Sequence, residues 1–342
     1  MKQSSCEAIV IAEIGVNHDG SFNKAKELVD AAAEAGANYA KFQYFDSVVL
    51  NTISAVQAEY QIKNTGIIQS QRQMLSELEL TLDEMLDLEE YCQSKNIGFA
   101  LSVFDAQSVD SLQAFDLDFI KIPSGNITDK KLLEAIAVVG KQILLSTGMS
   151  DMADVVAAYQ VLKAAGAVVD DIVLLQCTSS YPAAVEDTHL RAMVTLGSDL
   201  GVDFGLSDHS ESIFIPAAAV AMGARVIEKH ITLDRTSVGP DHLASLEPTE
   251  FRKMVEGIRA VELALGSAVK RTLPSELSVK SVARKSLVAS QDIKRGEKFL
   301  LDNLTSKRPG MGVSPMHIDL LLGKCSLRDY FAGDLISLDE LM

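Results

Sequence analysis

Val202-Asp203-Phe204-Gly205-Leu206-Ser207-Asp208-His209-Ser210 is followed, across the apolar run Phe214 to Met222 and its stop at Gly223, by Arg225-Val226-Ile227-Glu228-Lys229-His230-Ile231-Thr232. Each flanking run opens apolar and closes polar, and the span between them has helical length and a glycine terminator. A parallel strand covered on both faces reads as a near-continuous apolar run, so the stretch is a strand–helix–strand unit. Its chemistry collects at the carboxyl ends of the strands.

Six earlier runs have the same character: Ala8–Gly15, Asn38–Phe45, Ile97–Phe104, Phe119–Gly125, Gln142–Gly148 and Ile172–Ser179. Helical patterns separate them, among them Ser21–Ala35, Thr81–Lys95, Lys130–Val139, Asp151–Ala165 and, after the last strand, Pro248–Leu265. Thr81 before Asp83 and Glu84, and Ser150 before Asp151, are helix-start signals, whereas Gly36, Gly140 and Gly166 are stops. Eight strand–helix units in about 270 residues predict an α/β fold, a (β/α)8 TIM barrel. An open doubly wound sheet would carry a glycine fingerprint after its first strand, and Gly15-Val16-Asn17-His18-Asp19-Gly20 lacks that spacing. Asp46–Arg72 reads as an insertion after strand two, at the end where barrels build active sites.

The chain has 342 residues and a net charge of −16, which argues against a nucleic-acid partner. No apolar run reaches the roughly 20 residues of a membrane span. Met1 to Glu7 is short and polar, predicting no signal peptide. Cys6, Cys92, Cys177 and Cys325 are far apart, so neither disulfides nor structural zinc are expected, and a cytoplasmic location is the default. From Ala283 onward nine Lys/Arg face eight Asp/Glu, in contrast to the acidic body. The expected organisation is a catalytic barrel over 1–270, a linker over 271–282 and a small β-rich domain over 283–342.

Polar residues at the ends of apolar strands are the main chemical signal. Glu13, Lys41, Gln43, Ser102, Lys121, Ser124, Ser146 and Ser179 occupy such places, as do Ser207, Asp208 and His209 of strand seven and Glu228, Lys229 and His230 of strand eight. In a parallel barrel these positions converge on one mouth. Lys41 and Lys121 are expected there to face a cavity, a counter-ion or a bound anion, since an unpaired buried ammonium costs several kcal/mol. Pairing with Glu13 and Glu228 as core salt bridges is the less favoured alternative. His209 and His230, on adjacent strands, suggest a catalytic divalent metal with open positions. By themselves they could equally be unrelated core residues. His18 is expected to make turn hydrogen bonds, His189 and His317 to lie at the surface, His242 either way, and Met149 and Met311 to pack.

The stretches Ile11-Ala12-Glu13-Ile14-Gly15-Val16-Asn17-His18, Lys41-Phe42-Gln43, Lys121-Ile122-Pro123-Ser124-Gly125, Leu145-Ser146-Thr147-Gly148-Met149, Cys177-Thr178, Tyr181-Pro182, Gly205-Leu206-Ser207-Asp208-His209, Glu228-Lys229-His230, Gly239-Pro240-Asp241-His242 and Lys307-Arg308-Pro309-Gly310 together resemble the sialic acid synthases, the N-acetylneuraminate, legionaminic and pseudaminic acid synthase family. The resemblance implies a barrel followed by an antifreeze-like (SAF) domain, in a domain-swapped homodimer whose small domain caps the partner's site. It implies a transferase that joins phosphoenolpyruvate (PEP) to an N-acylated amino sugar, giving a nine-carbon sugar and phosphate by C–O cleavage. By the same resemblance Lys41, Ser102, Lys121, Ser124, Ser146 and Ser207 hold PEP or lie beside it, and His209 and His230 bind a divalent metal, manganese by preference with magnesium or cobalt possible. Glu13, Gln43, Tyr181 and Asp241 face the sugar, with Glu13 and Asp241 as candidate catalytic carboxylates, and Arg308 reaches its N-acyl group. Ser102 stands where some members have Thr, Ser179 where some have Asn, and Pro123 where many have Gly. The alternatives are a related PEP–aldose synthase using a phosphorylated sugar and a non-catalytic sugar-binding barrel.

Overall fold

A computed structural model describes residues 7–341, so Cys6 and all but the last residue of the polar N-terminal stretch lie outside the described residues. The chain divides into two compact units, Met1–Gly266 and Ser267–Met342.

In the first unit eight parallel strands close into a barrel in sequence order: β1 Ile9–Gly15, β2 Tyr39–Tyr44, β3 Gly98–Val103, β4 Phe119–Ile122, β5 Gln142–Ser146, β6 Ile172–Cys177, β7 Asp203–Asp208 and β8 Val226–His230. The helices are α1 Phe22–Glu34, three short ones after β2 (α2 Ser47–Leu50, α3 Glu59–Thr65, α4 Gln71–Ser76), α5 Leu82–Ser94, α6 Lys130–Ala137, α7 Met152–Ala164, α8 Leu190–Leu200, α9 Ile215–Ala221 and α10 Pro248–Leu265. Thr81 caps α5, its hydroxyl accepting from Glu84 N at 3.3 Å. Asp151 rather than Ser150 caps α7, accepting from Ala153 N at 2.8 Å. The expected glycine stops end their helices in the left-handed region, Gly36 at φ 87° and Gly223 at φ 105°.

One crossover departs from the eight-helix expectation. Between β3 and β4 the chain forms a 3₁₀ helix, Ser108–Ala114. Its buried side chains Val109 and Leu112, and Phe115 immediately after it, recur every third residue, the period of a 3₁₀ turn and not of an α-helix.

Strand alternation organises the barrel interior. Ile11, Ala100, Phe119, Leu144, Leu175 and Val226 fill its lower part and are buried. Two residues further along the same strands stand Glu13, Ser102, Lys121, Ser146, Cys177 and Glu228. The register sets Glu13 opposite Lys41, Ser102 opposite Lys121 and Ser207 opposite Glu228. An apolar floor therefore carries a polar ring.

The second unit contains α11 Leu277–Ala283, the antiparallel pair β9 Ser286–Ala289 and β10 Leu304–Lys307, and α12 Ile318–Leu321. Isolated bridges such as Ile293–Tyr330 and Lys298–Cys325 extend the pairing around a core that includes Leu287, Ile293, Phe299, Val313 and Tyr330. Helix α11 begins within the expected linker 271–282.

Candidate active site

The barrel mouth opens into a cavity of about 550 Å³, a usual size for a small-molecule site. Apart from Asp208 and Lys229, the barrel residues singled out as candidates from the sequence line it, from Glu13 to Asp241. Arg308 belongs to the second unit, where it is exposed and its Nε donates to the Ala283 carbonyl at 3.0 Å.

The two lysines combine both sequence readings: they face the cavity, and they are paired. Lys41 Nζ lies 2.6 Å from Glu13 Oε2 and 3.6 Å from Glu228 Oε2, and donates to Ser102 Oγ at 2.6 Å. Lys121 Nζ contacts Glu228 Oε1 at 2.8 Å, an oxygen that also accepts from Ser207 Oγ at 2.7 Å. Gln43 Nε2 donates to Glu13 Oε1 at 3.0 Å. The less favoured pairing is thus the one present: register sets Glu13 beside Lys41, and closure of the barrel brings Glu228 of β8 to Lys121 of the non-adjacent β4. Burial alone would raise the Glu228 pKa, but Lys121 and Lys41 hold it far below the usual carboxylate range. Burial likewise opposes charge on Lys41, and Glu13 and Glu228 overcome it. Two cations and two anions form a neutral, fixed group. Glu228 is its hub, a role its strand-end position hinted at but did not establish.

Asp208 and Lys229 do not join this mouth. Alternation turns them to the outer side of β7 and β8, where Lys229 Nζ meets Asp208 Oδ2 at 2.7 Å with both side chains fully buried. Lys229 also donates to the Ser210 carbonyl. Burial lowers its pKa despite Asp208. The pair is a brace between two strands.

His209 and His230 lie with ring centroids 5.4 Å apart. His209 Nδ1 is 2.8 Å from the Thr178 carbonyl, which can only accept, so this nitrogen carries a proton; burial opposes charge on the ring, yet Cys177, the Thr178 carbonyl and Glu228 raise its pKa. His230 Nδ1 is buried with no partner. Burial, then the neighbouring His209, hold His230 well below its ordinary pKa, in the neutral form that ligates metals. A histidine whose second nitrogen is held by a backbone carbonyl is the usual metal-ligand arrangement. Among the described residues no group of three or more His, Cys, Asp or Glu forms a metal cage. His209 and His230 are the imidazole pair that would hold a divalent ion at this mouth.

Tyr181 packs over His209 at 4.0 Å between centroids, and Tyr60, from α3, stacks on Tyr181 at 5.0 Å. Asp241 comes from the loop after β8 and is buried. That burial, reinforced by Glu13 and opposed by His209, raises its pKa to about 6. The loop is fixed from beneath. Buried His242 spans Asp19 Oδ1 at 3.0 Å and Thr232 Oγ1 at 2.7 Å. A Cβ on Gly239 would come within 2.6 Å of its ring. Ser245 Oγ donates to the Asp241 carbonyl at 2.7 Å, and Asn17 Nδ2 donates to Ser245 Oγ at 2.8 Å. His18 makes its expected turn bond, accepting from Gly20 N at 3.1 Å, and burial lowers its pKa to about 4.

Gly148 brings Ser124 and Ser179 together, because a Cβ there would lie 2.8 and 2.3 Å from their hydroxyl oxygens. Met149 does not pack as expected: it is 74% exposed at φ 57°, on the cavity rim, and Met311 is 66% exposed. His189 and His317 are exposed, as expected. Sequence reading missed Asn51, Tyr60, Gln61 and Gln71 as lining residues. It had located their insertion at the active end, but an insertion has no periodicity that points side chains inward.

A model of the NeuB family matches residues 28–270, and one of the SAF domain matches residues 284–342. The chain belongs to the NeuB family. This NeuB chain is 44% identical to the N,N'-diacetyllegionaminic acid synthase of Campylobacter jejuni, over 96% of this chain and 99% of the relative. It is 40% identical to the corresponding synthase of Legionella pneumophila, over 96% and 93%. Among solved structures, an N-acetylneuraminic acid synthetase from Leptospira borgpetersenii, in complex with citrate, aligns with a TM-score of 0.69 at 34% identity, over 80% of this chain and 90% of that one. The family thus has the barrel and SAF domain that the sequence motifs implied. Among the described residues no helix is long and apolar enough to cross a membrane.

Proposed function

We propose that this NeuB-family chain condenses PEP with an N-acylated amino sugar, releasing phosphate and a nine-carbon sialic-acid-type sugar, with a diacetamido hexose of the legionaminic type as acceptor. The observation that carries the reading is the buried Glu13–Lys41–Glu228–Lys121 group beside the neighbouring imidazoles of His209 and His230, the latter with an unpartnered Nδ1. The identity to legionaminic acid synthases supports the choice of sugar.

Lys121 has one carboxylate partner and so retains donor directions for a phosphate or carboxylate of PEP, alongside the hydroxyls of Ser102, Ser124, Ser146 and Ser207. Ser146 Oγ is buried without a partner, a vacancy that an anionic oxygen satisfies. The PEP methylene carbon attacks the aldehyde of the open-chain sugar, forming the new C–C bond, and the aldehyde oxygen gains a proton. Water adds to C2 of PEP, and breakage of the C2–O bond releases phosphate and leaves a ketone. Lys41 and Lys121, fixed before substrate arrives, stabilise the developing charge without reorganising. Glu13, held by Gln43 and Lys41, is the proposed proton carrier, and Asp241, held by its loop, orients the sugar hydroxyls. His209 and His230 would hold a divalent ion, manganese by preference with magnesium or cobalt as alternatives, which when bound would supply Lewis-acid polarisation of the aldehyde. Action as a homodimer, with Arg308 serving the partner's sugar site, belongs to the same proposal.

The test is phosphate release from PEP with N-acetylmannosamine, its 6-phosphate, a diacetamido trideoxyhexose or arabinose 5-phosphate, with the product identified by mass. Release with the diacetamido sugar is expected. Turnover with arabinose 5-phosphate alone supports the phosphorylated-sugar synthase, and binding without release supports the non-catalytic barrel.

A further inference from the structure

On the cavity wall Asn51 Nδ2, Ser146 Oγ and His230 Nδ1 are buried atoms with no hydrogen-bond partner, and Glu13 Oε2 and Glu228 Oε2 are met by Lys41. Four are strand-borne and belong to the reacting centre. Asn51 is different. It follows α2 in the insertion, its backbone N–H donates to the Ser47 carbonyl at 3.2 Å, and its side-chain Nδ2 is buried and unpaired. An amide N–H buried without a partner forfeits the hydrogen bond it makes in water, so its retention calls for a partner that arrives with substrate.

The surroundings restrict that partner's chemistry. Phe45, Leu50, Met74 and Leu75 line the same cavity, and Phe45, Leu50 and Leu75 belong to one small apolar cluster with Val16 and Phe104. The insertion and the helix that follows it contribute no charged side chain to the lining, only Asn51, Tyr60, Gln61, Gln71 and apolar groups. A phosphate would find no counter-ion there. An N-acyl group matches both features, because its carbonyl oxygen accepts from an amide and its methyl packs on apolar carbon.

We propose that Asn51 is a specificity-determining residue whose Nδ2 donates to the carbonyl of a second N-acyl group on the sugar, with the acyl methyl seated against Phe45, Leu50, Met74 and Leu75. The assignment rests on the synthase reading above. The reacting groups are borne on strands and Asn51 on a loop, so the group it receives lies away from the aldehyde. Asn51 thereby separates doubly acylated from singly acylated amino sugars.

The experiment compares kcat/KM of the full chain for 2,4-diacetamido-2,4,6-trideoxymannose and for N-acetylmannosamine, in wild type, Asn51→Ala and Asn51→Asp. Both variants are expected to lose roughly tenfold on the diacetamido sugar and stay within about twofold on N-acetylmannosamine. Equal losses on the two sugars, or none, overturn the assignment. Calorimetric titration of the diacetamido sugar, without PEP, reads the same contact independently of turnover. Weakening of Kd by about tenfold in Asn51→Ser supports the assignment and an unchanged Kd defeats it, whereas loss of phosphate release by wild type with every sugar defeats only the synthase reading.

Discussion

Replacing Asp241 by Asn should stabilise the metal-free protein while impairing its chemistry. The carboxyl is buried in the cavity wall, and its pKa rises from 3.8 to about 6, through burial first and Glu13 second, against the pull of His209 and His242. A carboxyl that binds its proton more tightly folded than unfolded leaves stability undiminished below the unfolded pKa. Stability then falls as pH rises toward the folded value. At about 1.4 kcal/mol per pH unit, ionised Asp241 costs about 3 kcal/mol at pH 7.5 and about 1 kcal/mol at pH 4.5. Asn carries no charge at either pH. The stability difference between Asp241→Asn and wild type, from urea unfolding in chelator, should therefore move by about 2 kcal/mol in favour of the variant between those pH values. A difference that stays constant, or moves toward wild type with rising pH, would refute the claim that burial strains this carboxylate. The same reasoning links stability to function, because a group poised for catalysis is held at a cost to the fold.

The remaining predictions separate the brace from the mouth and test the metal. Asp208→Asn leaves Lys229 buried without its counter-charge and should lower unfolding stability by about 3–5 kcal/mol; in folded protein kcat/KM should stay within a few-fold of wild type, and a selective loss of turnover at unchanged stability would contradict the outward placement. Exhaustive chelation should abolish phosphate release and manganese should restore it, whereas full turnover by metal-free protein removes the two-imidazole proposal.

Much of the barrel was legible because two periodicities overlap in this chain. Inward positions recur every second residue, so Ile11 and Glu13, or Phe119 and Lys121, stand on one column and expose the change from floor to mouth. That same alternation was not carried through for Asp208 and Lys229, whose odd place in the pattern already points them away from Ser207, Glu228 and His230. The 3₁₀ crossover was likewise written in the three-residue spacing of Val109, Leu112 and Phe115. Pairing of the lysines depended on which side chains meet across the closed barrel, Lys121 of β4 with Glu228 of β8 for example. No local pattern encodes it. Asn51 and Tyr60 were beyond reach for another reason, since loop side chains take their direction from tertiary contacts, as Tyr60 does from Tyr181.

The most direct measurement uses PEP labelled with 18O at the oxygen bridging C2 and phosphorus, mixed with the diacetamido sugar. Condensation by addition of water at C2 and loss of phosphate predicts all the label in inorganic phosphate and none in the nine-carbon product. Label retained in the sugar, or phosphate released equally without it, would contradict the account.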